Sequence, residues 1–578
     1  DGQIGTGETF VKSDLSAGVH TITLTATNSH GQSRSAKVTI TVGNPSIVEI
    51  TEDINTDTTW KSDNIYLVKR CIDVNANLSI GPGTVIKLES GACIEVETGK
   101  IITAGMADSP IVFTSYRDDA RGGDTNGDGN LTSPAAGDWD YVSIGGTNNT
   151  SVFNNCEFYY GGGYSSYYDY TLYLESKGVT VTNCTFAHNL GDNGGVLDAS
   201  SAGAGTTITG NVFYDNIKPL GISGEIDIDD SNVFHNPDNA AETNAKNGIY
   251  YRAASGDIIG NRSWGETEVP FVICRNNLDI PAGASLTLAA GMVLKFCEGI
   301  SMEADSGGPI KAEGGMGAPI VFTSYRDDAR GGDTNGDGNL TSPAAGDWDY
   351  VSIGGTNNTS VFNNCEFYYG GGYSSYYDYT LYLESKGVTV TNCTFAHNLG
   401  DNGGVLDASS AGAGTTITGN VFYDNIKPLG ISGEIDIDDS NVFHNPDNAA
   451  ETNAKNGIYY RAASGDIIGN RSWGETEVPF VICDGVYDLD IPAGASLTLG
   501  DDVILKFCED RGIYYQGDNL INYNGSGVWF TSYRNDARLG DTNGDGSITS
   551  PAAGDWEGVY NDAASAYEAW PNIEYAAN

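Results

Sequence analysis

The sequence predicts an all-β protein, most of it a parallel β-helix. Three observations carry this expectation. No stretch sustains helical periodicity; short apolar runs of strand length alternate with turns rich in Gly, Asn and Asp. Residues 111–274 recur letter for letter at 320–483, an offset of 209 over 164 positions. Within each repeat, Asn-x-x-Phe or Asn-x-Phe ends at Phe158, Phe186, Phe213 and Phe234, in steps of 28, 27 and 21. Asn189 and Asn216 each stand three residues after their Phe. Coils of that length build a solenoid with Phe stacked on Phe inside and Asn on Asn at the turns. Successive coils then rise by the strand spacing, about 4.8 Å.

Size and charge agree with an elongated array. A chain of 578 residues is too long for one compact domain. With 76 Asp and Glu against 29 Lys and Arg, the net charge is −47, which leaves no basic stripe to displace counterions from a phosphate backbone. Nucleic acid is therefore not an expected partner, whereas divalent cations are. Charged residues at 18 % and aromatics at 10 % argue against a disordered acidic tail. No apolar run approaches the roughly 20 residues of a membrane span, and no leader pattern opens the sequence.

In chain order, residues 1–43 carry two period-2 strands, 19–26 (VHTITLTA) and 36–42 (AKVTITV), around a turn at 28–31. This stretch resembles the closing strands of a polycystic-kidney-disease-type (PKD) immunoglobulin-like domain. The resemblance implies a β-sandwich of which only part is present, whose remaining strands either precede this sequence or come from another chain. A short linker at 44–46 follows. Trp60, Trp264 and Trp473 each stand ten or eleven residues before a Cys and open similar segments. The expected units are 47–263, 264–472 and a truncated 473–578.

Ten cysteines fall as neighbours: Cys71/Cys93, Cys156/Cys184, Cys274/Cys297, Cys365/Cys393 and Cys483/Cys508. Their spacings of 22, 28, 23, 28 and 25 are each about one coil. Cysteines at equivalent places on adjacent coils lie within the Cα range that disulfides accept, roughly 4.4–6.8 Å. Five coil-to-coil bridges are expected, hence an oxidising, extracellular setting. The alternative is buried free thiols.

The motif with chemistry is 118–139, DDARGGDTNGDGNLTSPAAGDW, which returns at 327–348 and, edited, at 535–556. Asp124, Asn126 and Asp128 ahead of Gly129 have the D-x-N-x-D-G spacing of a calcium loop, in which alternate oxygen ligands on a tight Gly turn surround a hard cation. An EF-hand would place Glu at the twelfth position, where Ala135 stands. Asn130 through its carbonyl, and Asp119 or Asp138, are expected to complete the sphere. Asp119 carries more weight, because Asp118 becomes Asn535 in the third copy. The second set is Asp328, Asp333, Asn335, Asp337, Asn339 and Asp347; the third is Asp536, Asp541, Asn543, Asp545 and Asp555. The alternative is an Asx-rich turn without metal. Calcium is the expected cofactor, as a clamp and not a reagent.

Tyr164, Tyr167, Tyr168 and Tyr170, repeated as Tyr373, Tyr376, Tyr377 and Tyr379, suit contact with glycans or a protein neighbour, or else pack under the long loop. Catalysis is weakly signalled. Arg117 and Arg121 beside Asp119 pair more simply with acidic neighbours, and Glu225, Asp227 and Asp229 share a solvated strand face.

The phrases IPAGASLTL, PIVFTSYRDD, GGDTNGDG and SPAAGDW resemble those of secreted bacterial and archaeal surface proteins with a right-handed, pectin-lyase-like parallel β-helix. The resemblance implies a cell-surface protein and leaves its role open; the letter-perfect duplication points to a structural unit more than to an active site. The expected role is a structural subunit of an extracellular filament, sheath or stalk that self-associates head to tail. A glycan-binding adhesin is the alternative, and a polysaccharide lyase or hydrolase is the remoter one.

Overall fold

The structure is a computed structural model, in which residues 18–27, 33–42, 45–165, 169–374, 377–461, 465–483 and 487–577 are described. Among these there is no helix. Gly18–Thr27 and Ser33–Val42 pair antiparallel as a two-stranded sheet. The expected immunoglobulin-like sandwich is represented among the described residues by this hairpin alone.

From Ser46–Ile50 onward the chain is a parallel β-helix, as its period predicts. One coil runs through Asn77–Ile80, Val85–Leu88 and Ile94–Val96, and Lys100–Thr103 then lies in register on Asn77–Ile80. Alternate residues point inward, so Leu78, Ile80, Ile86, Leu88, Ile94 and Val96 are all buried. Phe113, Phe158, Phe186 and Phe213 occupy one register position on successive coils. Their rings stack at 4.8, 4.8 and 5.2 Å, and Phe234 continues the column at 5.4 Å. Buried asparagines run beside it: Asn189 Nδ2 donates to Asn216 Oδ1 at 3.1 Å, and Asn216 Nδ2 to Asn244 Oδ1 at 2.8 Å. Each amide also donates to a backbone carbonyl of the preceding coil, so the turn's polar groups are satisfied away from water.

Corners recur as well as cores. The bend between Val152–Asn154 and Cys156–Tyr159 is one residue, Asn155, at φ 49°. The same corner on the next coils is Asn183 at φ 54° and Gly210 at φ 67°. Asn and Gly are the residues that adopt this left-handed conformation at least cost.

The repeat units are stretches of one continuous solenoid. A 13-stranded sheet runs from Ile72–Asp73 to Val421–Tyr423, straight through the expected boundary at 263/264. Equivalent strands nevertheless change sheets. Ile111–Ser115 lies on a seven-stranded sheet, whereas its copy Ile320–Ser324 lies on the 13-stranded one. Trp529–Ser532 in turn lies on the ten-stranded sheet that Leu278–Asp279 begins. Each unit thus hands a sheet to the next in a new role.

Three of the five expected bridges form: Cys71–Cys93, Cys274–Cys297 and Cys483–Cys508, with Cα separations of 4.2, 4.8 and 5.1 Å. Cys156, Cys184, Cys365 and Cys393 are instead buried free thiols. The two kinds of pair differ in side-chain direction. The bridged pairs adjoin strand ends, beside the inward residues. The free cysteines share the inward parity of the Phe column two residues on. There the Cys156 thiol lies 3.3 Å from Thr103 Oγ1 and the Cys184 thiol 3.3 Å from the Thr182 carbonyl, and the two thiols also meet: burial first, then the Cys156 thiol, pushes the Cys184 thiol up.

Candidate metal centre

The loop 116–141 leaves Ile111–Ser115 and re-enters at Val142–Ile144. Both feet are fixed by the solenoid. Trp139 is fully buried and its Nε1 donates to the Tyr159 carbonyl at 2.8 Å. Trp348 repeats this on Tyr368, and Trp556 donates to the Glu574 carbonyl.

At the tip, the Asp124 carboxylate accepts from the backbone N–H of Gly127 at 2.6 Å and of Gly129 at 3.0 Å. Asp128 accepts from Leu131 N–H at 3.0 Å and from Thr132 Oγ1 at 2.5 Å, and the Thr132 hydroxyl is the largest cause holding its carboxyl below the usual range. Thr341 and Thr549 do the same for Asp337 and Asp545. Asp119 folds back from the loop's start to meet these two groups. One ligand oxygen from each of Asp119, Asp124 and Asp128 lies within 4.8 Å of the others, and Asp328/Asp333/Asp337 and Asp536/Asp541/Asp545 repeat the cluster.

Asp119 distinguishes the cluster from an Asx turn. Both its carboxylate oxygens, and both of Asp328, are buried without a hydrogen-bond partner, as is Asp536 Oδ1. Burial first, then the Asp333 charge, raises the Asp328 pKa. A carboxylate withdrawn from water beside two others, with no donor, is costly unless a cation stands between them. The all-oxygen donor set suits a hard dication.

The other expected ligands have different duties. Asp138 does not reach the cluster: it accepts from Ser115 Oγ at 2.7 Å, Arg117 Nη1 at 2.6 Å and Ala135 N–H at 3.0 Å. Asp347 and Asp555 repeat those bonds with Ser324/Arg326 and Ser532/Arg534. These are the bonds that tie the loop's end to its beginning. Asn126, Asn335 and Asn543 accept from the N–H two residues on and close the turn. Asn130 and Asn339 adopt left-handed φ of 71° and 69°, and Ser547 replaces them in the third loop at 69°.

Under each loop lies a lysine that no motif singles out. Lys87, Lys295 and Lys506 are fully buried. Lys87 Nζ donates to the carbonyls of Asp118 at 2.9 Å and Gly123 at 2.5 Å. Lys295 donates to the Gly332 carbonyl, and Lys506 to that of Gly540 at 2.6 Å. Desolvation lowers all three, Lys295 and Lys506 to about 8, while the loop aspartates oppose the shift. The available signal was a lysine in the same place within VIKL, VLKF and ILKF.

Arg121 lies over the Tyr159 ring at 3.6 Å and bonds Asp118 at 3.1 Å, and Arg330 repeats the arrangement. In the third loop, where Asn535 replaces Asp118, Arg538 pairs with Glu574 at 2.8 Å. Of the tyrosine tract, Tyr164, Tyr373 and Tyr377 are exposed, whereas Tyr170 and Tyr379 are buried and stack on Tyr173 and Tyr382 at 4.3 Å. Tyr167, Tyr168 and Tyr376 lie outside the described residues. No protein-family model matches the chain, and neither a curated protein nor a solved structure matches it.

Proposed function

We propose that the chain is a structural subunit of an extracellular filament, sheath or stalk. In this reading it is a right-handed, pectin-lyase-like β-helix with a PKD-type module at its amino-terminal side. Calcium would occupy the three aspartate clusters and rigidify their loops, of which the second and third rest on the preceding unit. The observation that carries the reading is the junction, which is built twice in the same way. Tyr250 Oη donates to the Thr334 carbonyl at 3.0 Å, and Tyr459 Oη to the Thr542 carbonyl at 2.9 Å. Trp264 stacks on Phe271 and Trp473 on Phe480 at 4.7 and 4.6 Å. A junction that reproduces itself lets units be added without redesign, as in mechanical arrays. Three disulfides support an oxidising location. The pairing of Arg117 with Asp138 and Arg121 with Asp118 supports a loop built for shape and not for chemistry.

Electron microscopy of native material, with and without chelator, tests the proposal. Elongated particles that shorten or fall apart on chelation are expected; a strictly monomeric chain at high concentration with calcium would contradict it. A second reading, an adhesin, draws on the exposed rings of Tyr164, Tyr373 and Tyr377. It requires glycan-array binding that is lost when these tyrosines are replaced by alanine.

A further inference from the structure

One corner of the solenoid gathers a different donor set. The turn residues after Cys156–Tyr159, Thr185–Ala187 and Val212–Tyr214 are Tyr160, His188 and Asp215, with left-handed φ of 65°, 60° and 50°. A shared conformation on successive coils sends their side chains out side by side. His188 Nδ1 lies 2.5 Å from Asp215 Oδ2. The hairpin strand Asn239–Thr243 brings Glu242 to the same place, so that one ligand atom from each of His188, Asp215 and Glu242 lies within 4.8 Å of the others.

The ring is held for the purpose. Tyr160 stacks on His188 at 5.6 Å and 14°, and Tyr214 meets its edge at 5.7 Å. Asn236 Nδ2 donates to Glu242 Oε2 at 2.7 Å and fixes that carboxylate. The second unit repeats every element: His397 and Asp424 at 2.5 Å, Glu451 within the same cluster, Asn445 on Glu451 at 2.8 Å, Tyr369 on the ring at 5.6 Å.

We propose that His188/Asp215/Glu242 and His397/Asp424/Glu451 are two transition-metal sites, distinct from the all-oxygen clusters of the long loops. Imidazole with two carboxylates is a borderline set that suits zinc and its first-row neighbours, whereas calcium takes oxygen alone. Two carboxylates and a neutral imidazole carry the charge that balances a dication, and water completes the sphere. The ion would staple three consecutive segments on the outside of the Phe column. Asn236 and Asn445 are positioning residues, which hold a ligand and do not touch the metal.

Zinc titration of the full chain by calorimetry, in saturating calcium, is the test. Two zinc ions per chain are expected. His188→Ala should leave one and His188→Ala with His397→Ala none, while His235→Ala with His444→Ala retains both. Asn236→Ala with Asn445→Ala should weaken zinc binding by about tenfold without changing the stoichiometry. Should the alanine variants melt early in zinc-free buffer, Asp215→Asn with Asp424→Asn serves in their place, because it keeps the shape and removes the charge. Zinc binding undiminished in the double variants, or no saturable binding by the unaltered chain, would overturn the proposal.

Discussion

Loops 118–139 and 327–348 have the same sequence and different surroundings. In the second, Thr334 is fully buried and Asp333 half-buried; in the first, Thr125 is half-buried and Asp124 exposed. The second loop lies on the unit before it: Gly331 rests on Pro270, Gly336 on Lys246, and Tyr250 bonds the Thr334 carbonyl. The first loop has a floor at its root, where Gly122, the counterpart of Gly331, rests on Ile65 and Val85, but none at its tip, where a Cβ on Gly127 would meet nothing within 4 Å. On the outward ladder that ends at Lys295, Tyr250 stands two strands before the lysine. On the ladder that ends at Lys87 that place belongs to Glu49, which is exposed and paired with Lys69 at 3.3 Å. The sequence of a loop therefore defines its aspartate cluster, and its neighbour decides whether the loop also rests on the preceding unit.

Truncating the shared anchor should have the largest effect and abolish no difference. Trp139→Ala and Trp348→Ala each remove a fully buried indole, and each should cost about 4 kcal/mol in chemical denaturation. A cost confined to one of them would mean that the two loops differ at their feet as well as their tips.

The start of the second unit carries a pH dependence that the start of the first lacks. Glu266, where the first unit has Ser62, is fully buried, with Oε2 unpartnered. Burial pushes its carboxyl up to about 8, against the opposing N–H bonds of Glu268 and Thr267. The folded state therefore holds a proton that the unfolded state releases above its ordinary 4.5. Stability falls as pH rises from there, and the penalty is complete above about 8. Glu266→Gln should be neutral at pH 4 and more stable by about 1–2 kcal/mol at pH 9, read from denaturation midpoints. An equal effect at both pH values would refute the buried charge.

Tyr250→Phe removes only the hydroxyl that reaches Thr334, and should cost about 1 kcal/mol. It should also bring protease cleavage of 327–348 closer to that of 118–139. Glu49→Tyr is the reciprocal change and the smallest. It should protect the first loop slightly, by about 0.5 kcal/mol, because a hydroxyl gains one carbonyl partner.

Much of the fold was legible because the β-helix repeats its signals. Phe158, Phe186 and Phe213 declared the coil length, and Asn189 and Asn216 the ladder. Asp119 was legible as the cluster's remote member because Asp328 and Asp536 preserve it while Asp118 changes. The cysteine spacings marked neighbours on adjacent coils, and three of the five couples are bridged; parity with Phe158 was the further clue that Cys156 points inward. Asp138 looked like a ligand because it is acidic and close in sequence, but Ser115 and Arg117 on the entering strand claim it. Lys87 was opaque for a related reason. Alternation puts it on the outer face, and only the folded loop above it turns that face into an interior. The transfer of sheets between units has no local sequence signal, because it is a property of how identical segments stack.

The most direct measurement is differential scanning calorimetry of the full chain, calcium-loaded and after chelation. If the aspartate clusters hold calcium as structural clamps, chelation lowers the melting temperature, and limited proteolysis then cuts first within 118–139, the loop whose tip has no floor. Superimposed melting curves, with 118–139 and 327–348 cleaved alike in both conditions, would contradict it.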